Sequence, residues 1–201
     1  MRMATALVLL GVSGAAGAAT HTSGSHLDAY YSNADVKVDG PADADGDGGG
    51  LRLRWANGIG LLTVEVQKNA FEVDDVNLDI DTRQYRLGMG YRFVNEPAMQ
   101  SWLRAEYVRF EADADPGESD DQDGYGAHLG FLLGRHGFEG YAEVGVIDLA
   151  GMDGLEYRVG AAYQPGMFGG FVEYRSTRFE RDADDSDLEY DDLRVGVRVG
   201  F

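Results

Sequence analysis

From residue 26 onward the chain alternates apolar and polar side chains with a period of two, in short runs broken by Gly, Asp, Asn and Pro. Between Gln84 and Phe93, Tyr85, Leu87, Met89, Tyr91 and Phe93 share one face, while Gln84, Arg86, Gly88, Gly90 and Arg92 share the other. Tyr125 to Gly134 and Leu155 to Gln164 repeat the pattern. A helix, with a period of 3.6, would scatter these sets around its circumference. Ten such segments are predicted strands: about 26–38, 49–57, 60–72, 82–93, 101–112, 124–134, 138–150, 154–164, 168–180 and 188–201. In the first, third and fifth the apolar parity switches near Ser32, Lys68 and Val108, which predicts bulges there. No helical segment remains between them.

The connections differ at the two ends. Asn57-Gly58, Arg135-His136-Gly137 and Pro165-Gly166 are tight, and Val94 to Gln100 is a little longer. Opposite them stand the acidic stretches 39–49, 72–81, 111–123 and 180–192, with only Gly151 to Gly154 short at that end. An even number of antiparallel strands with short turns at one end and longer loops at the other predicts an all-β fold: a single antiparallel up-and-down transmembrane β-barrel. The count is ten strands, or eight if the first two pair differently.

The polar face argues for a membrane barrel over a soluble one, which would turn its apolar face inward. On nearly every strand the face opposite the apolar one carries Gly and charge. Read as lumen-facing, it holds Arg52, Arg54, Arg86, Arg92, Arg104, Arg158, Arg175, Arg194 and Arg198 together with Glu65, Glu106, Glu139, Glu143, Glu156 and Glu173. These groups can pair across a narrow interior, and Arg suits the task because its planar fork binds carboxylate bidentately. Aromatic residues predict two interfacial belts. Trp55, Tyr91, Phe93, Trp102, Phe138, Tyr163, Phe168 and Phe201 lie near the tight turns, and Tyr107, Tyr125, Tyr157 and Tyr174 near the loops.

Composition narrows the setting. Met1 and Arg2, an apolar Ala4–Val12 and the small residues Ala16-Gly17-Ala18 form a secretory-signal pattern, so residues 1–19 are expected to be removed and 20–201 to form the barrel. The absence of Cys from the whole sequence excludes disulfides, a thiolate metal site and a Cys nucleophile. The C-terminal run Arg194-Val195-Gly196-Val197-Arg198-Val199-Gly200-Phe201 resembles the assembly signal of bacterial outer-membrane proteins, with Arg194, Gly196, Val199 and Phe201 at its polar, Gly, hydrophobic and terminal aromatic positions. Over the expected mature chain, the sequence resembles the small outer-membrane β-barrel superfamily of OmpA-barrel and OmpX-like proteins. That resemblance implies residence in a bacterial outer membrane, contact with its lipid and lipopolysaccharide, and handling by the outer-membrane assembly machinery. Ten strands depart from the eight common in those relatives.

Candidate chemistry is sparse. Asp43-Ala44-Asp45-Gly46-Asp47-Gly48 matches the first half of an EF-hand loop, but the twelfth position is Arg54 and strands flank it. Asp43, Asp45 and Asp47 are therefore expected to hold at most a weak surface Ca²⁺ or Mg²⁺. The ten-stranded omptin proteases place an acid pair opposite a His–Asp pair near the rim. Here the only histidines are His21, His26, His128 and His136, and His128 alone points to the lumen near the loop end. No catalytic residue and no cofactor are expected. The formal charge of −18 resolves into two parts: the four acidic windows carry 24 acids and one base, and the rest 11 acids and 16 bases. This predicts a mildly basic barrel beneath a negative crown and argues against nucleic-acid binding. The functional expectation is a structural or surface-interaction protein with a plugged lumen. A small cation-attracting pore is the alternative, and an adhesive or signal-regulated surface role a weaker one.

Overall fold

The computed structural model describes residues 24–38, 43–73, 78–114, 118–181 and 186–201. The expected signal segment and the tips of the acidic connections, including Asp182, Asp184 and Asp185, lie outside these residues. Ten strands run up and down: β1 His26–Val38, β2 Asp43–Asn57, β3 Gly60–Val73, β4 Leu78–Glu96, β5 Met99–Ala114, β6 Glu118–Arg135, β7 Phe138–Leu149, β8 Met152–Tyr163, β9 Phe168–Arg181 and β10 Ser186–Gly200. Each pairs antiparallel with its sequence neighbours, and β1 pairs with β10 along its whole length, from His26 opposite Gly200 to Val38 opposite Leu188. The barrel therefore has no free edge, and every strand finds partners for its backbone groups on both sides.

At one end three connections, 58–59, 97–98 and 136–137, are two-residue turns, and 164–167 is longer. His136 and Gly137 both take positive φ (53° and 82°), as a type I′ hairpin requires. At the opposite end Ala150 (53°) and Gly151 (81°) do the same, which closes the one short connection there.

The strands are longer than a membrane needs. They run from 12 residues in β7 to 19 in β4, whereas a tilted strand crosses a bilayer in about 9–11. The excess lies at the acidic end. Much of what the sequence suggested as loop, such as 43–48 and 118–123, is strand continuing above the bilayer.

This extension explains the parity switches. The ladders are continuous through Ser32, Lys68 and Val108, and the one register shift falls between Arg92 and Val94. No bulge exists at the three expected positions. Instead the environment of each face inverts. On β5, Leu103, Ala105 and Tyr107 point outward, and two residues on, the outward positions become Arg109 and Glu111 while Val108 and Phe110 point inward. Above the membrane surface the outer face meets water and the inner face does not, so the apolar side chains move inside. β1 and β3 cross the same boundary, with Asp35 and Lys68 outside and Ala34 and Phe71 buried within. Below it the outer surface is an apolar belt that includes Leu87, Met89, Leu129, Val144, Val146, Val159, Val195 and Val197, all exposed.

The interior carries three apolar clusters. Leu61, Trp102 and Leu132 fill the turn end, Tyr30, Ala162 and Phe171 sit against one wall, and Val108, Ile147, Leu149 and Phe179 close the crown end with Phe110, Met152 and Leu188 packed on them. Trp102 is 2 % exposed and lies in the lumen, not in the turn-end belt that the sequence suggested. Gly130 explains its room: a Cβ there would overlap the indole.

Candidate functional site

The strand period carries every second residue of each strand into the lumen, so the charged inner face is stacked in layers between the two end clusters. Of the expected lumen residues, Arg52, Glu65, Arg86, Arg92, Arg104, Glu106, Glu143, Glu156, Arg158, Glu173, Arg175, Arg194 and Arg198 are buried, and Arg54 and Glu139 are partly so.

The network has a spine. Asp28 accepts from Arg52 Nη2 at 2.8 Å and from Arg198 Nε at 2.8 Å. Arg52 Nη1 then reaches Glu173 at 2.7 Å, and Arg194 joins Glu173 (3.0 Å) to Glu65 (3.0 Å) and Asp192 (2.8 Å). Arg175 closes on Asp192 at 3.0 Å. On the far wall Arg86 forks onto Glu156 at 2.6 and 2.8 Å and reaches Glu106 at 2.9 Å, and Arg104 joins Glu106 to Glu143. Neutral groups complete it: Trp102 Nε1 donates to Glu143 at 2.7 Å, the Tyr141 hydroxyl to Glu173 at 2.8 Å, and Gln67 Nε2 to Ser32 Oγ at 2.9 Å and Asp192 at 3.0 Å. Buried ions are tolerated only when paired and hydrogen-bonded, and most of these are.

Besides the neutral Ser32, Trp102 and Tyr141, three members of the network lie outside the expected lumen set. Asp192 was counted with the crown but is fully buried in the lumen, and Asp28 and Gln67 were not singled out. The usable signal was parity, since Asp192 shares the inner face with Arg194 and Arg198 and Asp28 sits directly opposite Arg198.

His128 is 1 % exposed, with Nε2 3.3 Å from Glu156 Oε1 and 3.5 Å from Glu106 Oε1. The three side chains offer ligand atoms within 4.8 Å of one another, a spacing a metal could bridge. Both Oε1 atoms, however, already accept from Arg86 Nη1, so a cation between them would face a fixed guanidinium. The donor set fits an all-protein network. Of the other described histidines, His26 is buried near the turn-end mouth, 3.5 Å from Asp28, and His136 sits in a turn.

On the crown, Asp45 and Asp47 share the outer face of β2 as strand residues and do not curl around a common point as EF-hand ligands do; the Asp43 side chain lies outside the described ones. Ion pairs ring this face: Lys68–Asp81 at 2.8 Å, Arg109–Asp121 at 2.8 Å and Arg178–Glu189 at 3.0 Å. Asp35 faces Asp45 on one side and Asp191 on the other; partial burial, a hydrogen bond with Asp45 and these neighbouring charges raise its pKa above the usual carboxylate value. In the terminal strand Arg194 and Gly196 turn inward and Val199 outward, and Phe201 is exposed with its N–H on Ser25 O at 3.3 Å.

No family model matches the chain, and no curated protein matches its sequence. Among solved structures, Neisserial surface protein A (NspA) superposes with a TM-score of 0.53 at 16 % identity, covering 89 % of this chain and 98 % of that one. The outer membrane protease OmpT from Escherichia coli gives 0.53 at 11 % identity over 90 % and 98 %. The fold is that of a small outer-membrane β-barrel. Identities this low carry the architecture alone, so the protease activity in the second protein's name is not transferred. In this barrel the apolar belt faces lipid, the charged layers face the lumen and the crown stands in water.

Proposed function

We propose that the protein is an integral, non-conducting barrel of a bacterial outer membrane that holds a rigid acidic crown at the cell surface, in a structural or surface-interaction role. The observation that carries this reading is the filled lumen. Arg175, Arg194, Glu173 and Asp192 are fully buried across its middle, and the Val108–Ile147–Leu149–Phe179 cluster lies above them. An ion crossing would have to break several buried ion pairs and then pass an apolar constriction, which itself resists wetting.

The belt supplies contact with lipid and lipopolysaccharide, and the terminal strand with Arg194, Gly196, Val199 and Phe201 supplies the handle for the assembly machinery. Crown carboxylates such as Asp45 and Asp47 would meet divalent cations diffusely. No catalytic role is assigned, because the lumen histidine His128 has no exposure to a substrate. Planar-bilayer recording of the refolded chain tests the reading. Silent membranes are expected, and steady open levels would replace it with the cation-attracting pore.

A further inference from the structure

Two lumen guanidiniums lack an acid among the described residues: Arg92, which donates to the Gly58 carbonyl at the turn end, and Arg54. Among the described residues Arg54 has no carboxylate within ion-pair distance; its Nε and Nη2 are shielded from solvent and take no hydrogen bond. Its guanidinium lies over the Trp102 ring, 4.2 Å from the centroid. Such a contact offsets only part of the cost of an uncompensated charge. Arg54 lines a cavity of about 40 Å³ on the turn side of the network, along with Arg52, Arg104, Arg158, Arg198 and His26. The carboxylates on that wall are already engaged: Glu143 by Arg104 and Trp102, Glu173 by Arg52, Arg194 and Tyr141. Arg158 also contributes an Nε–H with no hydrogen-bond acceptor.

We propose that this cavity is a binding site for one small monovalent anion of the halide class, with Arg54 as its principal ligand and Arg158 as a second donor. The charge is set by the arithmetic of the site, since one guanidinium is uncompensated and the others have partners. Size follows from the cavity, because a water needs about 10–15 Å³ and the space therefore admits an ion and a water or two. A metal cation is disfavoured by the five guanidiniums in the lining. Water alone would satisfy the N–H groups but leave the charge. The inference is independent of whether the crown end conducts.

Trp102 reports directly on this site, and Trp55 is the only other tryptophan. The full-length chain carrying Trp55→Phe, refolded in detergent, would be titrated with sodium bromide against sodium gluconate at constant ionic strength. Saturable quenching of Trp102 is expected, relieved by added chloride and lost in Arg54→Gln, while Arg109→Gln on the crown retains it. Quenching that is absent, rises linearly without saturating, or survives Arg54→Gln would overturn the site. If Arg54→Gln does not fold, chloride competition in the Trp55→Phe chain decides: failure of chloride to relieve the quenching overturns the proposal, and relief supports it.

Discussion

Glu173 shows how much of this interior hangs on single side chains. Fully buried itself, it accepts from Arg52 at 2.7 Å, Arg194 at 3.0 Å and the half-buried Tyr141 at 2.8 Å. Glu173→Gln removes a buried charge that Arg52 and Arg194 share, leaving Arg52 with Asp28 and Arg194 with Glu65 and Asp192, so a loss of about 3 kcal/mol is expected in equilibrium unfolding from lipid vesicles. Arg83→Gln, which breaks an exposed 3.5 Å pair with Asp113 on the crown, should cost no more than about 1 kcal/mol in the same assay. Gly130→Val drives a side chain into the Trp102 indole and should cost about 1–3 kcal/mol, because the packed lumen cannot give way without strain. Asp35 provides the pH test. Its raised pKa means that its ionised form opposes folding, so that destabilisation is present at neutral pH and is relieved as pH falls through the raised value. Asp35→Asn should therefore unfold at higher denaturant than the parent at neutral pH, with the gap closing in acid. At this scale the sequence showed which residues point inward, because parity is a local property. It did not show which Arg meets which acid: Asp28 meets Arg52 across the β1–β2 hairpin, but Glu173, 121 positions away, meets it only once the barrel closes.

Single strands carry two environments in sequence. β6 runs from Asp121 and Asp123, outward in water, through Tyr125, Leu129 and Leu133, outward in lipid. Leu129 lies midway along the lipid-facing stretch, so Leu129→Arg should destabilise by about 2–4 kcal/mol as midplane charges do in membrane barrels. Asp121→Arg, on the same face but above the boundary, loses only the exposed pair with Arg109 and should cost no more than about 1 kcal/mol. Equal costs in vesicle unfolding would mean that the boundary is misplaced. Strand identity and count were legible because alternation is strong wherever one face meets lipid. The upper ends were not, because there the rule changes sign: Val108 and Phe110 go inside while Arg109 and Glu111 face out, which reads as a bulge when one rule is applied to the whole strand. Trp102 was misplaced against its parity. Its nearness to a turn fits an interfacial belt, but its spacing of two and four from Arg104 and Glu106 puts it on their inward face.

The whole molecule is a lipid-facing cylinder closed by apolar clusters at both ends of a charged lumen and continued above the bilayer as a small water-facing barrel with its own core. Its charge is distributed accordingly, with the acids in excess on the crown and the Arg-rich layers enclosed in the lumen. The central claim is that this object is sealed and oriented with the crown outward. The chain contains no cysteine, so single cysteines report cleanly. Ser32→Cys places a thiol in the lumen beneath the crown core at a fully buried, near-isosteric position, Asp121→Cys places one on the exposed crown, and His136→Cys places one in a turn at the opposite end. Intact cells would be treated with a small, charged, membrane-impermeant thiol reagent. The account predicts rapid labelling at 121 and none at 136 or 32, with both of the latter reacting after denaturation. Labelling at 32 on intact cells would contradict the sealed lumen, and labelling at 136 with 121 protected would contradict the orientation.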